Sequence, residues 1–149
     1  SSTLYSWAQN NHWFTNYKAD QPGVTTFRYW IRPYAGRYSV AQAARFGMES
    51  TRPLLVASAR AGRPLNQPLL ASAPDDVLIE TAKLSEDGHA LILRLFGVGG
   101  TDRSVRLRWA ASPPASLHLT DLTEAALGSP GRRVTVPGHG VVSLRAELR

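Results

Sequence analysis

Short β-patterned runs separated by turn residues fill the second half of this chain, and they limit its fold more than any other feature. Val77–Leu84 and Ala90–Phe96 flank Ser85-Glu86-Asp87-Gly88, the composition of a hairpin turn. Ser104–Ala110 alternates Val105, Leu107 and Trp109 with Arg106 and Arg108, so one face is core and the other a solvated arginine face. Leu117-His118-Leu119 opens another strand, followed by a loop through Gly131. Arg133–Val136 and Val141–Leu148 flank Pro137-Gly138-His139-Gly140, which reads as a second hairpin.

Upstream, Leu4–Ala8, Val24–Ile31 and Pro53–Ala57 also carry strand composition. Ser39 is placed to cap a helix through about Met48, with Val40, Ala43, Ala44 and Gly47 on one face. Residues 58–75 hold three prolines and a glycine and read as a long connection, anchored to a core at Leu69-Leu70. The predicted fold is all-β: a sandwich of short, mainly antiparallel strands with one short helix near residues 39–48. The 149 residues suffice for a single sandwich domain, 1–149.

Charge and aromatic content are uneven. Residues 1–63 carry eight Lys/Arg against two acids, while residues 64–149 carry nine of each. Eleven of the thirteen aromatics lie between Tyr5 and Phe46. A basic, aromatic surface suits single-stranded nucleic acid, but these arginines form no dense run, so nucleic acid is the weakest expectation. No apolar run approaches the ~18 residues of a membrane helix, and no membrane partner is expected. With no cysteine, disulfides and thiolate metal sites are excluded, which fits a cytoplasmic location.

Catalytic signatures are sparse. His12, His89, His118 and His139 show no close ligand spacing, whereas zinc sites usually do. There is no Gly-x-Ser-x-Gly elbow. Gly97-Val98-Gly99-Gly100 lacks the Lys-Ser/Thr of a phosphate loop and reads as a flexible turn. Glycoside hydrolysis by paired carboxylates needs two acids about 5–10 Å apart, and Asp20, Asp75, Asp76, Asp121 and Glu124 read as turn or surface acids. Sugar binding is better served. Asn10, Asn11, His12, Trp13, Thr15 and Asn16 combine amides, a hydroxyl, an imidazole and an aromatic face in one loop closed by Asp20-Gln21-Pro22-Gly23. The alternative is that these asparagines satisfy loop backbone while Trp13, Phe14 and Tyr17 plug one end of the sandwich.

The run Asn10-Asn11-His12-Trp13-Phe14-Thr15-Asn16, the Gln21-Pro22-Gly23 turn and Phe27-Arg28-Tyr29 resemble the C-terminal β-domain of bacterial family-38 glycoside hydrolases, the α-mannosidase family. The Val77–Leu95 hairpin is similar to that family's as well. The resemblance implies a C-terminal fragment of a longer hydrolase, packed against catalytic and helical domains of the same chain. It implies contact with mannose-containing glycans at Asn10, Asn11, His12, Trp13, Thr15 and Asn16. Zinc and the aspartate nucleophile would belong to an N-terminal domain, so this chain would hold no catalytic residue and no cofactor. A purely architectural module, buried against its neighbours without touching sugar, is the competing expectation.

Overall fold

The computed structural model describes residues 3–10, 18–52, 54, 56, 68, 70–110, 112–131 and 133–148. The chain forms two compact units, residues 1–36 and residues 37–149.

The larger unit opens with helix α1 (Val40–Thr51). Ser39 is its N-cap, and the hydroxyl accepts from the Gln42 amide at 3.3 Å, satisfying one of the amides a helix start leaves open. The half-buried side chains are Ala41, Ala44, Phe46, Met48 and Ser50, not the expected Val40, Ala43 and Gly47. Ala41, Ala44 and Met48 share one side of the helix and Phe46 and Ser50 the other, so no single stripe is covered. Arg45 Nη2 reaches the Asp75 carbonyl at 3.5 Å, and Arg52, the C-cap, donates to the Glu80 carbonyl.

Among the described residues eight strands follow: β1 (Leu70–Ala73), β2 (Val77–Leu84), β3 (Ala90–Gly97), β4 (Arg103–Trp109), β5 (Leu117–Thr120), β6 (Ala126–Gly128), β7 (Val134–Val136) and β8 (Val141–Glu147). They form a three-stranded sheet, β1-β4-β7, and a five-stranded sheet, β2-β3-β8-β5-β6. Every pairing is antiparallel. The fold is thus the expected all-β sandwich with one short helix. The chain changes sheets repeatedly: β1, β4 and β7 are separated in sequence by strands of the larger sheet.

Alternation explains the core. Leu93 sits between Ala82 of β2 and Leu144 of β8, and Leu95 between Ile79 and Val142. Directly paired residues share a face, and this face meets Val105, Val134 and Val136 of the smaller sheet. Leu93, Leu95 and Leu144 are 0% exposed; each stabilises the fold by about 1.5–3 kcal/mol through burial. Leu107 and Trp109 pack on this core while Arg106 and Arg108 are exposed, as the alternation in β4 requires.

Several expectations are corrected. Leu4–Ala8 and Val24–Ile31 are not strands, nor are Leu54 and Val56; Pro53, Leu55 and Ala57 lie outside the described residues. Strand composition yields a strand only where another strand completes the ladder. The long connection ends in β1, whose Leu70 packs on the core as expected; Leu69 lies outside the described residues. The loop after β5 contains β6. β7 and β8 do not form a hairpin, because they pair in different sheets.

The two glycine-rich loops account for that crossing. The Gly97 amide donates to the Gly140 carbonyl at 2.9 Å, His139 N to Gly99 O at 2.9 Å, and Gly138 N to Asp102 Oδ1 at 3.0 Å. A Cβ on Gly138 would lie 2.4 Å from the Gly100 carbonyl carbon, and one on Gly97 2.4 Å from the Pro137 oxygen. Gly97–Gly100 is therefore a clasp for the β7–β8 crossover, and glycine permits the backbones to approach.

Candidate functional site

Asn10 is the only one of the six candidate residues the structure describes, and it is exposed. Asn11, His12, Trp13, Thr15 and Asn16 lie outside the described residues. What the structure does place is the setting within residues 1–36. Ser6 Oγ donates to Tyr29 Oη at 2.8 Å and so ties the segment before the loop to the segment after it. The Trp7 indole N–H donates to the Gln9 carbonyl at 2.8 Å, beside Asn10. Gly23 adopts φ +114°, a conformation natural to glycine, where the Asp-Gln-Pro-Gly turn was expected. Lys18 and Asp20 form an exposed ion pair at 3.2 Å.

Large apolar side chains in this unit are exposed to a degree unusual even for a surface: Tyr5 is 92% exposed, Trp7 81% and Ile31 82%, with Phe27, Tyr29, Trp30 and Tyr34 also open. Single exposed apolar groups are common, but a concentration of them marks a surface used for binding or docking.

The larger unit gathers its charges differently. On the outer face of the five-stranded sheet, Lys83, Ile92, Arg145 and His118 lie side by side across β2, β3, β8 and β5. Arg145 pairs with Glu147 at 2.7 Å and with Asp87 at 2.6 Å. Both acids raise the Arg145 pKa, Glu147 most. The Asp87 carboxyl is held far below the usual carboxylate range by the Ser85 hydroxyl, then the His89 amide and Arg145. Glu124, at φ 68°, places one carboxylate oxygen 2.5 Å from Lys83 Nζ and the other 2.9 Å from the Glu86 amide. Lys83 and that amide lower its pKa. Asp121 caps its own loop, accepting from the Thr123 amide and hydroxyl and from the Ala125 amide, and the Thr123 hydroxyl foremost lowers its pKa.

These carboxylates are ionised acceptors that tie loops together. Glu124 joins the β5–β6 loop to β2 and the β2–β3 turn, although β3 and β8 stand between β2 and β5. An Asp two residues before a Thr suggests the Asp121 turn from sequence; the reach from Glu124 to Lys83, 41 residues away, carries no local signal.

A groove of about 380 Å³ lies between α1 and the β1–β2 region, lined by Arg45, Met48, Glu49, Leu70, Asp75 and Ile79 among others. His118 bonds Ser116 Oγ at 2.9 Å, and His89 and His139 are exposed turn residues. Among the described residues no group of three His, Cys, Asp or Glu side chains is placed to hold a metal. No helix among them is long and apolar enough to cross a membrane.

Residues 76–148 match the family described as the glycosyl hydrolases family 38 C-terminal beta sandwich domain. This segment belongs to that domain family. The match begins one residue before β2 and ends one residue after β8, so it takes in both sheets except β1 and leaves out α1 and the aromatic N-terminal unit. The segment is a glycoside-hydrolase-associated module. No curated protein matches the chain. Among solved structures it is similar to the apo exo-carrageenase GH42 from Bacteroides ovatus, with 16% identity and a TM-score of 0.38 over 55% of this chain. The chain spans 11% of the length of that protein.

Proposed function

We infer that this chain is a non-catalytic β-sandwich module, the C-terminal part of a longer family-38 hydrolase that cleaves α-mannosides. The match of residues 76–148 to the family's C-terminal domain carries this reading. In it, the catalytic and helical domains of the same chain are the partners, and zinc is held by the catalytic domain. The absence of cysteine supports a bacterial cytoplasmic parent. Asn10, Asn11, His12, Trp13, Thr15 and Asn16 would form one wall of the site, offering amides and an aromatic face to mannose-containing glycans.

The exposed Tyr5, Trp7, Phe27, Trp30 and Ile31 favour a second reading of the same unit, in which it packs against a neighbouring domain and touches no sugar. Titration of this chain with mannose and manno-oligosaccharides, followed by amide NMR, separates the two. Shifts at residues 10–16 support the sugar wall; their absence leaves the packing role alone. The substrate class is tested by assaying the parent and this chain on aryl α-mannosides. Turnover is expected from the parent only, and a parent inactive on α-mannosides removes that assignment.

A further inference from the structure

The outer faces of the two sheets differ in how they hold their cations. On the five-stranded sheet Lys83 and Arg145 are paired with acids and Arg94 reaches the Ser143 hydroxyl at 3.5 Å. On the three-stranded sheet Arg106 and Arg108 project from β4 on the face opposite Val105, Leu107 and Trp109, and both are exposed. They are two residues apart, so about 7 Å separates them along the strand. Arg133, also exposed, stands in the bend just before β7, next to the Val134–Val105 pair. Thr135 pairs with Ser104, and Ala71 and Ala73 of β1 pair with Arg108 and Arg106. The face thus carries Arg106 and Arg108 set among Ala71, Ala73, Ser104 and Thr135, with Arg133 in the bend beside it. Among the described residues none of the three arginines forms an ion pair. Like charges gathered on one sheet face disfavour the fold slightly, so the trio adds nothing to the stability of the sandwich.

We propose that this face docks onto an acidic surface of a neighbouring domain in the parent chain, its arginines receiving carboxylates; this rests on the reading of the chain as part of a longer hydrolase. Guanidinium groups match carboxylates in paired hydrogen bonds. The small residues between them let another backbone come close. Among the described residues this face carries no aromatic ring: Trp109 points to the core. Sugar rings and unpaired bases, which are bound by stacking, find no platform here. The face is exposed along β4, while at its β1 edge Ala71 also lines the groove beside α1; a strand face of this kind suits a second surface better than a small molecule.

Zero-length carbodiimide coupling in the full parent chain tests this, since it joins a lysine amine only to a carboxylate in contact with it. In Arg106→Lys/Arg108→Lys parent protein, we expect peptides cross-linked from positions 106 and 108 to Asp or Glu outside this module, in a yield independent of concentration. Three results overturn the proposal. One is absence of such links while Lys18 and Lys83 react. Another is links whose yield rises with protein concentration, which marks a second copy. The third is binding to immobilised heparin that Arg106→Gln/Arg108→Gln abolishes, without interdomain links, which marks an anionic glycan. Inactivity of the same parent on α-mannosides, with the links present, would remove the substrate assignment and leave the docking face standing.

Discussion

Replacing Gly138 with alanine strikes the contact that carries the chain from one sheet to the other. The new methyl carbon would sit 2.4 Å from the Gly100 carbonyl carbon, 2.5 Å from the Thr101 nitrogen and 2.7 Å from the Gly100 oxygen. Carbon atoms rest at about 3.5–4.0 Å, so the two loops must part by about 1 Å. All three obstructing atoms are backbone, and no side chain can rotate aside. Overpacking of this kind costs about 1–3 kcal/mol. Parting the loops also weakens His139 N to Gly99 O and Gly97 N to Gly140 O, each worth about 1 kcal/mol. The expected loss is about 2–5 kcal/mol, read as a lower urea midpoint at unchanged slope. Gly88→Ala is the comparison: Gly88 has φ +74° and nothing within 4 Å of its would-be Cβ, so only backbone strain of about 1–2 kcal/mol applies. Hydrogen exchange should show the Gly97 and His139 amides deprotected by Gly138→Ala alone. A Gly138→Ala loss of about 1 kcal/mol or less, with both amides still protected, would refute the clasp.

Acid should loosen the loop ties on the five-stranded sheet. The Asp87 and Glu124 carboxyls have lowered pKa values in the folded chain. Their contribution is therefore complete above the ordinary carboxylate range of about 4 and is lost as pH falls through the lowered values. Urea midpoints measured from pH 6 downward should fall more shallowly in Asp87→Asn and Glu124→Gln than in the wild type; identical slopes would count against the ties. The exposed aromatic unit predicts self-association of the isolated chain. Light scattering should show mass rising with concentration, and Trp30→Ser/Ile31→Ser should reduce it. A wild-type chain monomeric at every concentration would contradict this.

The sandwich was legible wherever a strand was long enough to alternate. β2, β3, β4 and β8 each carry seven or eight residues whose inward positions are mostly aliphatic. β1 and β6 escaped detection because Leu-Ala-Ser-Ala and Ala-Leu-Gly have almost no pattern of their own, and only the strands beside them make them strands. The Pro137–Gly140 turn chemistry is local and says nothing about which strand comes next to which; the crossover depends on Gly97 and Gly138, some forty residues apart. Val24–Ile31 shows the reverse failure, in which residues suited to a strand stay exposed where no ladder forms. The aromatic concentration before residue 39 was plain in the sequence. Its exposure was not, because composition cannot distinguish a core from a docking surface.

The kinetics of a Trp13→Ala parent enzyme on an α-mannoside test the central claim most directly. If residues 10–16 form a wall of the glycan site, kcat/KM should fall by at least tenfold while the urea midpoint of the variant matches that of the parent. Unchanged kcat/KM at unchanged stability would contradict the account and leave the aromatic unit with a packing role only.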